Sequence, residues 1–89
     1  MTPAEKIIAA AIRPCDTPTV RDQIRQLVEL KYHVQRKTDH QLKIGPVNYY
    51  PVRGTITLDP CERHSERGFT ALLELLERVL ASQINTMYL

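Results

Sequence analysis

By residue type, His33, His40 and His64 are the side chains of this 89-residue chain suited to moving protons near neutral pH. His40 has the most suggestive neighbours. In Thr38-Asp39-His40 a hydroxyl, a carboxylate and an imidazole adjoin, with Lys37 beside them. Cleavage of RNA by its own 2′-hydroxyl needs a base, an acid and a cation on the phosphate, and no metal. The competing reading packs His40 with Leu42 and Ile44 on the inner face of a strand. Cys61-Glu62-Arg63-His64 is a C-x-x-H half-site. Zinc takes four ligands in two close pairs and only one pair exists, so no metal site is expected. The chain has no phosphate-loop, dinucleotide, serine-nucleophile or zinc-protease motif, and no cofactor is expected. Cys15 and Cys61 read as free thiols, because one pair is a poor disulfide framework.

Charge points the same way as His40. Twelve Lys and Arg against ten Asp and Glu give +2 overall. Residues 1–30 carry four of each sign, and residues 55–89 carry three basic and five acidic side chains. Between them, Lys31, Arg36, Lys37, Lys43 and Arg53 face Asp39 alone, an excess of +4. Tyr49 and Tyr50 lie in the same stretch. Cations with aromatics on an exposed sheet hold phosphates and stack bases, whereas the plainer reading is a solvated sheet face. The expected nucleic-acid contacts are therefore Lys31, Arg36, Lys37, Lys43, Tyr49, Tyr50 and Arg53, with RNA as the expected partner.

The elements that must position these residues are short. Thr2-Pro3-Ala4-Glu5 is a capping sequence, and Ile7, Ile8, Ala11 and Ile12 recur at helical spacing, which predicts a helix over 3–13. Thr19 with Asp22 predicts a second start, followed by the stripe Val20, Ile24, Leu27 and Val28. The period then changes to two: residues 32–37 and 40–44 alternate, with Thr38-Asp39 as a turn. Gly45-Pro46 reads as a bend or bulge before Val47–Tyr50 resumes the second strand, and Thr55–Leu58 makes a third. Ser65 predicts the cap of a last helix whose face is Phe69, Leu72, Leu73, Leu76 and Leu80, fading after about Ser82. The expected fold is α+β: helix, helix, three-stranded antiparallel sheet, helix, in two layers. One domain over 1–89 is expected, with its core at about 19–82 and residues 1–18 as an additional helix and connector. The apolar run Ile7–Ile12 is too short for a membrane span or an export signal, which predicts a cytoplasmic protein without membrane contact.

A helix, three antiparallel strands and a C-terminal helix is the layout of double-stranded-RNA-binding-like domains. Within it, Tyr32-His33-Val34-Gln35-Arg36-Lys37 resembles the basic first strand of the HicA family, the small mRNA-interferase toxins of bacterial toxin–antitoxin pairs. Thr38-Asp39-His40 stands where that family has Gly-Ser-His, and Glu66-Arg67-Gly68-Phe69-Thr70-Ala71-Leu72-Leu73 resembles its Gly-led terminal helix. The resemblance implies a catalytic His40 in a metal-independent endoribonuclease, and an antitoxin as protein partner. Without it, the residues point to a small RNA-binding domain, with catalysis left open and a non-enzyme favoured. The alternative is a non-catalytic protein-interaction or structural domain of phage or plasmid origin.

Overall fold

In the computed structural model, which describes residues 2–59 and 62–88 (81–88 as backbone alone), Thr2-Pro3 and Thr17-Pro18 start the first two helices alike. Each threonine is extended and accepts a backbone N–H through its hydroxyl, while proline fills N1, where no N–H is needed. Thr2 caps α1 (Pro3–Ala11) reciprocally with Glu5. Thr17 accepts from the Val20 N–H at 3.2 Å and opens α2 (Pro18–Glu29). The predicted cap at Thr19 is thus corrected to Thr17, because the fixed φ of Pro18 suits the first helical position. After Leu30, Lys31 takes φ 75°. Its N–H bonds the Val28 carbonyl at 2.9 Å and the Tyr32 N–H bonds that of Leu27 at 3.1 Å, a Schellman closure that stops the helix.

Strands β1 (Gln35–Thr38), β2 (Gln41–Ile44), β3 (Val47–Tyr50), β4 (Thr55–Leu58) and β5 (Glu62–Arg63) form one antiparallel sheet in sequence order, and α3 (Phe69–Tyr88) follows. The chain is α+β, with three helices and a five-stranded sheet among the described residues. Two differences correct the three-stranded expectation. Gly45-Pro46 is a reversal, with Ile44 directly opposite Val47. Gly45 has φ 59° and proline must have negative φ, the sign pattern of a II′ hairpin turn. Beyond β4, Glu62 and Arg63 pair with Leu58 and Thr57 and add an edge strand where a loop was expected.

The start of α3 is also later than predicted. Ser65 does not cap it, because residues 64–68 are held as a loop against the β3–β4 turn. The Gly68 N–H donates to the Gly54 carbonyl at 2.8 Å and Arg67 Nη2 donates to the Arg53 carbonyl at 2.7 Å. At the other end, helical backbone runs on to Tyr88, past the expected fading at Ser82.

Cross-strand register decides which face is buried. Leu42 lies opposite Tyr49 and Tyr49 opposite Ile56, so these three share the inner face with Ile44 and Val47. Ile24 and Leu27 of α2 and Leu72 and Leu76 of α3 pack into the same core, all fully buried. The Tyr49 hydroxyl and Gln23 on α2 are 3.2 Å apart and hydrogen-bonded, and its ring tilts against Phe69 of α3, which ties both helices to β3.

Of the three glycines, Gly54 is the most tightly enclosed. It has φ 76°, and a Cβ there would stand 3.1 Å from the Gly68 backbone nitrogen. Gly54→Ala is expected to cost about 1–3 kcal/mol, from left-handed strain together with the loss of loop docking. Urea unfolding with an unchanged midpoint would contradict this account of the turn.

Candidate nucleic-acid interface

Because side chains alternate across a sheet, the register that buries Leu42, Tyr49 and Ile56 turns their neighbours outward. Gln35, Lys43, Asn48, Thr57 and Arg63 lie opposite one another in a single row crossing all five strands. A second outward pair, Tyr50 and Thr55, flanks it. Lys37 occupies a bulge between Arg36 and Thr38, where the β1–β2 register shifts.

Tyr50 is where this face converges. One depression runs from it past Gln41, Asn48 and Thr57 to Lys37 and Lys43, another past Thr55 and Thr57 to Arg53 and Arg63. Four cations therefore line two depressions that share the half-buried ring of Tyr50, and among the described residues Asp59 is the one carboxylate lining them. Asp59 is tied to Lys43 and accepts from Asn48 Nδ2 at 2.9 Å. Those two hydrogen bonds, with the charges of Lys43 and Lys37, hold its carboxyl below the usual value against the opposing effect of burial. Asn48, buried beneath these groups, also accepts from Gln41 Nε2 at 2.9 Å. Lys43 is thus partly neutralised, whereas Lys37, Arg53 and Arg63 are exposed and take no side-chain partner among the described residues.

Of the residues expected to bind nucleic acid, Lys37, Lys43, Tyr50 and Arg53 come together here. Three do not. Tyr49, 1% exposed, points into the core, where burial raises its hydroxyl pKa despite the Gln23 bond. Lys31 is carried by the Schellman turn to the helical layer beside Thr2 and Ile7. Arg36 faces inward and forms a buried ion pair with Asp16, both side chains 5% exposed.

The Arg36 pair is a structural clamp. Nη2 meets Asp16 Oδ1 at 2.6 Å and Nη1 meets Oδ2 at 3.1 Å. The other donors reach the carbonyls of Ala11, Thr38 and Asp39 at 3.2, 2.9 and 3.1 Å. All five guanidinium donors are satisfied, joining the end of α1, the connector and the β1–β2 turn. Burial pushes the Asp16 carboxyl up, but the Arg36 hydrogen bond, the Arg13 amide and the Arg36 and Arg21 charges hold it below the usual value.

His40 is not packed with Leu42 and Ile44 on the inner face. It is an exposed turn residue before β2, its N–H donating to Thr38 Oγ1 at 3.1 Å. Asp39 beside it pairs with Arg13. His33 is exposed by α1, and His64 lies in the loop before α3, so the three imidazoles are not gathered at one site. Cys15 is exposed and free, and Cys61 lies outside the described residues. Among the described residues no helix is long and apolar enough to cross a membrane.

Sequence reasoning misses Arg63, because a two-residue strand shows no alternation to read, and Asp16, because nothing local links it to a partner twenty residues on. No protein-family model matches this chain, nor does any curated protein or solved structure.

Proposed function

We propose that this protein is a small RNA-binding domain that holds unpaired strands on the open face of its sheet. The observation that carries the proposal is that Lys37, Lys43, Arg53 and Arg63 line two depressions that share Tyr50. Single strands are bound by aromatic platforms for bases set among cations for phosphates. That both depressions include the same tyrosine supports one stacked base with phosphates beside it. The order helix, antiparallel sheet, helix in α2, β1–β5 and α3 also supports kinship with double-stranded-RNA-binding-like layouts, widened by two strands, although fold alone assigns no function.

Tyr50→Ala tests the platform. Fluorescence anisotropy with a labelled 12-nucleotide RNA is expected to show affinity reduced by at least about fivefold, since one base stack is worth about 1–3 kcal/mol. Affinity should also fall as salt rises, because phosphate contacts release counterions. Wild-type protein that fails to bind this RNA at low salt, or a Tyr50→Ala variant that binds it equally well, defeats the proposal.

A further inference from the structure

The β1–β2 and β3–β4 turns lie at the same end of the sheet, and between them is a depression of about 430 Å³ lined by His40, Tyr50, Val52 and Arg53. We propose that this depression is a site for one nucleoside monophosphate that adjoins the open face and shares Tyr50 and Arg53 with it. The inference rests on the RNA-binding reading for its class of ligand, but His40 and Val52 line this depression and neither of the two on the open face.

The lining asks for a ligand of mixed character. Val52 is an apolar side chain left 82% exposed, next to the half-buried ring of Tyr50. His40 and Arg53 are exposed beside them, and neither side chain takes a hydrogen-bond partner among the described residues. A flat base against Tyr50 and Val52 would place a phosphate within the reach of the imidazole and guanidinium. Arginine meets phosphate with paired N–H donors, and histidine adds a further one. One guanidinium and one imidazole match a single phosphate. The volume lies within the ordinary range of small-molecule sites.

Both walls are fixed before any ligand arrives. The β1–β2 turn is held by the His40 N–H bond to Thr38 and by Arg36 Nη2 on the Asp39 carbonyl. In the opposite wall, the Gly54 N–H bonds the Tyr50 carbonyl at 2.7 Å, Gly68 holds the Gly54 carbonyl, and Arg67 holds that of Arg53. The backbone is anchored, so binding has only the side chains that meet the ligand to order.

The test is a titration of the full chain with AMP, UMP, adenosine, uridine and inorganic phosphate, followed by amide NMR. AMP or UMP should shift the signals of His40, Val52 and Arg53 with little change at Lys43 and Thr57. The nucleosides and phosphate alone should bind at least about tenfold more weakly, because each forfeits one half of the contacts. His40→Ala and Val52→Asp should each weaken AMP binding by about tenfold, on the same reasoning, and leave 12-nucleotide RNA binding to the open face in place. Shifts confined to other surfaces, phosphate binding as tightly as AMP, or an indifferent His40→Ala overturns the site. AMP binding in a protein that ignores RNA upholds this inference while removing the reading of the open face. RNA binding without AMP binding does the reverse.

Discussion

Replacing Arg36 with methionine is expected to lower stability by about 3 kcal/mol or more at neutral pH, the cost of leaving a buried charge without its partner. Asp16 would keep its burial and the Arg13 amide but lose two guanidinium bonds, and three backbone carbonyls would lose a donor. In a domain of this length the melting temperature should fall by roughly 12 °C or more. The pH dependence has a definite sign. In the wild type the Asp16 pKa is depressed below 3.8, so its contribution is complete above that value and is lost as pH falls through the folded pKa. In Arg36→Met, burial, already the largest single influence, is opposed only by the Arg13 amide and the Arg21 charge, so the same pKa is expected to rise and acid to relieve the mutant. The gap between the two proteins should therefore narrow below about pH 4. Melts of both proteins between pH 3 and 7 check this, and a gap that stays constant would remove the clamp from the account.

The second large effect concerns binding. Lys37→Glu combined with Arg63→Glu is expected to weaken single-stranded RNA binding by at least roughly 25-fold at 0.1 M salt, taking a salt exponent of about 0.7 for each lost phosphate contact. Both side chains are exposed and without internal partners, so stability should change by no more than about 0.5 kcal/mol per site. The dependence of affinity on salt should become shallower by about 1.4 in the logarithmic slope. Arg25→Glu, on the exposed face of α2, supplies the comparison. An equal loss from Arg25→Glu would mean that net charge alone drives association, and the open face would lose its role. Matched RNA and DNA strands would show whether the 2′-hydroxyl contributes.

The helices were legible in the sequence because threonine–proline pairs and apolar spacing are local signals. Strand number was open to misreading because Gly-Pro suits both a bulge and a turn. A further clue lies in parity. Leu42 and Ile44 are even-numbered, Val47 and Tyr49 odd, and in one continuous strand the two pairs would face opposite sides. Parity thus excludes a regular continuous strand, but a one-residue bulge and a two-residue reversal both return all four to the core, and the chain takes the reversal. Parity also separates Tyr49 from Tyr50, since adjacent residues in a strand cannot share a face. Which tyrosine is outward depends on where the helices pack, and that is a tertiary fact. The same holds for Arg36, whose charge looks available in a basic stretch until register places it opposite Leu42. The candidate site was thus half visible: its charge was readable, its membership was not.

The meander order leaves β1 and β5 as the outermost strands. An outer strand with its N–H and C=O groups unpaired is a template on which another chain can polymerise. β5 presents only two residues, and β1 is bent by its bulge, carries a lysine at the bend and has α1 packed beside it. Short length, a bend, a charge and a covering helix are the devices that interrupt such templates. The broad open face therefore stays exposed while the rims of the sheet discourage fibrous self-association.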